Sequence, residues 1–285
     1  MIFTRAILMF ALWVFTVDFS PVALAASTNA VSGFAEVPLT TGRLFIPTNW
    51  LPRSNRADLL VFFHGHPPLV CSNLSWSGKS VPVVVVNYSG LSAAYAGPFR
   101  DTNRFGAMLR EARLRLDERT GRSLETGRLA VASFSAGFGA VREILRQADY
   151  FSQITDLVLA DTLYAGYATN DGPRRVVPAH IEDFARFARR AAADDAVMVL
   201  THSQLVPGTY ASTVDTADAI LDVLSLKRTP ASGTDATGMT LLSTAEKGRF
   251  TLRSYDGKAG PDHMKHLIRV GLALRDTALP AAANP

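Results

Sequence analysis

The chain has 285 residues, 48% of them hydrophobic and 19% charged, with a formal net charge of +4. That balance excludes a disordered or fibrous chain and is ordinary for a protein that buries a core. A single cysteine, Cys71, excludes an intramolecular disulfide framework and reads as an inert loop thiol, while arginines spread over predicted helix faces argue against a nucleic-acid-binding patch.

At the N-terminus, Arg5 precedes the apolar run at residues 6–17, and Ala23-Leu24-Ala25 forms an A-x-A site. This predicts a secretory signal peptide over residues 1–25, with the mature chain starting at Ala26. The apolar run is too short to span a bilayer comfortably. The expectation is an exported protein, periplasmic or secreted, with no stable membrane anchor after cleavage. Residues 26–285 read as one domain.

Residues 34–39 and 43–47 are short apolar segments around Thr40-Thr41-Gly42, the pattern of an antiparallel hairpin. The run LLVFF at 59–63 reads as a strand covered on both faces and ends in His64-Gly65-His66-Pro67-Pro68, a turn. VPVVVV at 81–86 is the next such strand, followed by Asn87-Tyr88. Phe105, Met108, Leu109, Ala112 and Leu116 mark one helix face. Strands follow at 129–133, 157–160, 197–200 and 250–254, with helical spacing after the first (136–146), after the loop 162–178 and over 214–224. The Thr- and Ser-rich stretch 228–247 reads as a loop, 267–274 as a closing helix, and 276–285 as a fraying tail. Strands alternating with helices predict a mostly parallel α/β sheet with helices on both faces, whose strand C-terminal ends gather at one ligand-binding edge.

Between the strand at 129–133 and its helix lies Ser133-Phe134-Ser135-Ala136-Gly137. Small-x-Ser-x-small at a strand-to-helix turn is the pattern of a nucleophile elbow: the flanking residues are small because the turn is tight, and the middle hydroxyl stands at its tip. Ser135 is the candidate nucleophile, and the Ala136 N–H at the start of the following helix can serve an oxyanion. A serine hydroxyl needs a neighbouring base. Just past strand ends, Ser135, Asp161 and a histidine, His263, occur in that chain order. Two histidines compete for the base, His263 in a loop and His266, one helical turn on.

On these residues the chain resembles α/β-hydrolases of the serine-hydrolase kind over roughly residues 34–275: an HGH after an early strand, the SFSAG elbow, and a His after the last strand. The resemblance implies a mostly parallel α/β-hydrolase sheet and an acyl-enzyme mechanism without a cofactor. Ser135 would attack, His263 carry the proton and Asp161 orient His263, with amides near Gly65-His66 and at Ala136 forming the oxyanion hole. His64, Tyr88, Phe134, Tyr164 and His202 are the candidates for the substrate pocket. One departure stands out. The acid usually follows the strand that here ends at Leu200, where the sequence reads Thr201-His202-Ser203-Gln204 with no carboxylate. The implied substrate is a small ester or amide, with no nucleic-acid partner. Peptidase or acyltransferase action would use the same residues. The alternative is a non-catalytic binding protein with a degenerate site. A metal pair at His64 and His66 is disfavoured because the two lie in a turn with no carboxylate nearby in sequence.

Overall fold

The computed structural model describes residues 31–168, 174–235 and 238–282. The predicted signal peptide over 1–25 lies outside them. Among the described residues no helix is long and apolar enough to cross a membrane.

The element order is β1 (Phe34–Pro38), β2 (Arg43–Pro47), β3 (Arg56–Phe63), α1 (Pro67–Trp76), β4 (Val83–Val86), α2 (Ser92–Phe99), α3 (Thr102–Thr120) and β5 (Glu125–Phe134). A 3-10 turn over Ser135–Gly137 leads into α4 (Phe138–Leu145), α5 (Ala148–Gln153), β6 (Ile154–Ala160), α6 (Pro178–Ala192), β7 (Val197–His202) and α7 (Thr213–Leu224). Then come β8 (Thr229–Pro230), β9 (Leu241–Lys247), β10 (Phe250–Tyr255), α8 (Gly260–Ile268) and α9 (Gly271–Arg275). Among the described residues these strands form one sheet of ten in the order β1-β2-β4-β3-β5-β6-β7-β10-β9-β8. Its centre, β4 through β10, is parallel; β1 and β2 form the antiparallel hairpin at one side, and β9 and β8 run antiparallel at the other.

The central strands are apolar on both faces because helices cover both. Alternate residues serve opposite cores. Val61, Phe63, Leu129, Val131, Leu157 and Leu159 pack under α2 to α7, whereas Leu60, Phe62, Ala130, Ala132, Val158 and Ala160 pack under α1, α8 and α9. Burying each large apolar side chain contributes about 1.5–3 kcal/mol; a shift of one residue in a central strand would keep both faces apolar but put each side chain into the packing of the opposite layer.

Four local expectations are corrected. Residues 228–247 carry β8 and β9; this polar stretch lies at the outer part of the sheet, where β9 alternates buried Ser243 and Ala245 with more exposed neighbours. Pro67-Pro68 opens α1 rather than making a turn, since proline fits the first helical turn, where its missing N–H costs nothing. Cys71 therefore sits on a helix, fully buried, and burial pushes its thiol up to about 12, which leaves it unreactive. The tail does not fray through 276–282: Lys79 Nζ donates to the carbonyls of Thr277 at 2.7 Å and Leu279 at 3.0 Å, and Leu279 is buried.

Candidate active site

The site grows from the end of β5. Ser135 has φ 47°, in the left-handed region that an L-residue adopts at a cost on the order of 1–2 kcal/mol. The packing around the turn enforces it. A Cβ on Gly137 would overlap the Phe63 carbonyl, and one on Gly139 would overlap the Ser92 carbonyl, so α4 can dock on β3 and α2 only with glycine at both places. The Thr162 hydroxyl donates to the Ser135 carbonyl at 2.5 Å, tying the elbow to the end of β6.

Asp161 follows β6, also in the left-handed region at φ 42°, and its N–H donates to the Thr201 carbonyl at 2.8 Å. Asp161 Oδ2 lies 2.8 Å from His263 Nδ1. Its Oδ1 accepts from the Ser203 N–H at 2.9 Å and the Thr213 hydroxyl at 2.7 Å. Burial works to raise this carboxyl, but the hydrogen bonds from His263 and Ser203 and the proximity of His266 outweigh it and hold Asp161 well below the usual carboxylate range. The Asp161 side chain is fully buried while that of His263 is 15% exposed, so the imidazole stands between the acid and the cavity. The His263 ring also stacks on Phe134, centroids 4.5 Å apart.

Ser135, Ala136 and His263 open onto one cavity of about 470 Å³, walled by Leu91, Ser92, Phe138, Arg142, Tyr164, Ala165, Gly166, His180, Leu205 and Tyr210.

No protein-family profile and no curated protein matches the sequence. Solved structures do match. The enterochelin esterase of Shigella flexneri superposes with a TM-score of 0.51 at 13% identity, covering 85% of this chain and 58% of that one. The enterobactin esterase FES from Shigella flexneri in the presence of enterobactin gives the same figures, TM-score 0.51 and 13% identity over 85% and 58%. The likeness, together with the sheet order, decides the architecture. The chain has an α/β-hydrolase fold. It spans less than two thirds of the length of those esterases, and at this identity the likeness is one of fold.

Within this α/β-hydrolase fold the candidate residues separate. Ser135, Ala136, His263 and Tyr164 line the cavity, with Asp161 behind His263. His263 lies in the first turn of α8, not in a loop. His64, at φ 64°, turns the chain away after β3, and its Nδ1 lies 2.7 Å from the Tyr95 hydroxyl. Gly65 follows with no room for a Cβ beside Phe62 and Val70. Phe134 stacks on both His64 and His263 and forms no part of the cavity wall. His66 is exposed and, with Tyr88, lines a separate recess beside Arg43 and Asn87. His64 and His66 thus diverge, and among the described residues no group of three or more His, Cys, Asp or Glu side chains is placed to hold a metal. His202 does not line the cavity either. It is fully buried, with Nδ1 2.9 Å from the Ser203 carbonyl and Nε2 2.9 Å from Arg228 Nη1. His266 is buried with Nδ1 2.9 Å from the Thr201 hydroxyl and Nε2 4.0 Å from Asp161.

The sequence alone does not assign Arg142, His180 or Tyr210 to this wall, and His180 before its helix reads as surface. Arg142 is the only residue of α4 that is not buried; a lone cation in an otherwise buried helix was the available signal. His180, near the start of α6, accepts the Gly166 N–H at Nδ1 at 2.9 Å. Tyr210 packs edge-on against Tyr164, centroids 5.5 Å apart.

Burial lowers both His202 and His266 to about 4 from an ordinary 6.5. Between those values the unfolded chain takes up protons that the folded protein does not, so stability falls as pH drops from about 6.5 toward 4. Each imidazole contributes a loss of roughly 3 kcal/mol across that window. The thermal unfolding midpoint is therefore expected to be on the order of 10 °C or more lower at pH 4.5 than at pH 7.5. An equal midpoint at the two pH values would mean that both rings protonate without unfolding.

Proposed function

We propose that this protein is an exported serine hydrolase that cleaves an ester by an acyl-enzyme route. The observation that carries the reading is the alignment Asp161–His263–cavity–Ser135: a hydroxyl at the tip of a strained turn, sharing a cavity with an imidazole whose far nitrogen is hydrogen-bonded to a buried carboxylate. Asp161, ionised at neutral pH, accepts from His263 Nδ1–H and leaves Nε2 unprotonated toward the cavity. Nε2 takes the Ser135 proton as Oγ bonds to the substrate carbonyl carbon. The Ala136 N–H and the amides of Gly65-His66 are the proposed donors to the resulting oxyanion. His263 then returns the proton to the departing alcohol, and water, deprotonated by the same nitrogen, releases the acid. Ester rather than amide cleavage is favoured by the esterase identity of the fold's solved relatives, and export by the leader-like residues 1–25.

The test is a fluorophosphonate probe on the folded protein. One phosphonyl group per chain, mapped to Ser135 by peptide mass spectrometry, is the expected result. Folded protein that takes up no label would instead describe a binding protein on a hydrolase scaffold.

A further inference from the structure

The cavity wall carries a cation that the reaction above does not use. Arg142 stands on α4, one turn beyond the elbow, and lines the same cavity as Ser135 and His263. Its Nε is buried and has no hydrogen-bond partner among the described residues. The nearest carboxylate, Glu143, is 3.8 Å from that nitrogen. Glu143 is already taken: Arg146 Nη1 reaches both of its oxygens, at 3.0 and 2.9 Å. Among the described residues no Asp or Glu lines the cavity. Beside Arg142, His180 spends Nδ1 on the Gly166 N–H, so its neutral ring carries the proton on Nε2, a second donor on this wall.

A guanidinium withdrawn from water loses hydration that an anion can replace. Burial accordingly pulls Arg142 below its ordinary range. The Phe138 ring, 5.5 Å from the guanidinium carbon, returns only part of that loss as a cation–π contact. A planar fork of donors whose buried Nε has no partner is shaped for a carboxylate. The same wall carries three aromatic rings: Tyr164 packs between Phe138, 5.8 Å away, and Tyr210, 5.5 Å away.

Resting on the hydrolase reading and extending it, we propose that the substrate is an ester with an apolar or aromatic body and a second, ionised carboxylate that Arg142 binds, with His180 as a supporting donor. Arg142 sets which ester is accepted and takes no part in bond cleavage.

Two activated esters of equal reach test this: 4-nitrophenyl hydrogen glutarate, which is anionic, and 4-nitrophenyl methyl glutarate, which is neutral. The wild-type protein should favour the anionic ester at least tenfold in kcat/KM. In Arg142→Met that ratio should fall to within about threefold of unity, with Arg142→Lys intermediate. A ratio near one in the wild type, or one that survives in Arg142→Met, overturns the proposal. Should the wild type hydrolyse neither ester, the hydrolase reading fails, and calorimetry on Ser135→Ala decides the anion site separately. Binding of 4-nitrophenyl hydrogen glutarate at least tenfold tighter than its methyl ester supports the site, and equal or absent binding sinks it. That measurement requires no change at Arg142, so it stands even where the Arg142 variants do not fold.

Discussion

Ser135→Ala is expected to lower turnover of an activated ester by on the order of 10⁴-fold or more while leaving the fold in place. Without the hydroxyl, His263 has no proton to take and no covalent intermediate forms, so what remains is whatever a water molecule achieves in the same cavity. The stability cost should be small. The turn is held by Gly137 against Phe63 and by the Thr162 bond to the Ser135 carbonyl, and neither involves the serine side chain. A change within about 1 kcal/mol in a urea titration is expected, typical of a substitution that opens no cavity. Turnover that persists in a variant of unchanged stability would remove Ser135 from the mechanism.

The second large effect is Asp161→Asn, for which a loss of about 10⁴-fold in kcat is expected, by a different route. The Asn oxygen would keep the position of Oδ1, where the Ser203 N–H and the Thr213 hydroxyl both donate. Its amide nitrogen would then face His263 Nδ1 and donate to it. The imidazole would respond by carrying its proton on Nε2, the nitrogen that must be free to accept one. Asparagine tolerates the left-handed backbone at this position, so strain adds little. The measurement is steady-state kinetics on an activated ester alongside the thermal midpoint. Near-normal kcat would show that another group orients the base.

Why the site was partly readable follows from where its members stand. Ser135 and Asp161 come directly after β5 and β6, two parallel strands paired side by side, and any residue at such an end lands on the same rim. The acid position also resolves a local oddity. Nothing acidic follows β7, yet the Ser203 amide just past β7 donates to Asp161, so the carboxylate reaches across the end of that strand. His263 was visible as a histidine after the last strand, but Gly260-Pro261 conceals the helix it belongs to, because proline reads as a break and is equally a good first-turn residue. His180 and Tyr210 follow no strand end directly. They reach the cavity because α6 and the segment before α7 fold back over the sheet, and no short-range pattern records that return. Residues 241–247 were misread for the opposite reason: hydroxyl-rich composition resembles a loop wherever a strand has only part of one face to bury.

The placement of the carboxylate has a consequence for how such a site can change. Gln204 is pinned by the Gly257 carbonyl at 2.8 Å and by Ser254 Oγ at 3.0 Å, and Ala211 is secured to the Ala165 carbonyl at 2.8 Å. Between these moorings, Leu205 and Tyr210 face the cavity on a stretch with no part in aligning the imidazole. Sequence drift or lengthening there can retailor the enclosure around a ligand while the proton-handling parts stay undisturbed, a division of labour that an acid carried on this same stretch would forbid.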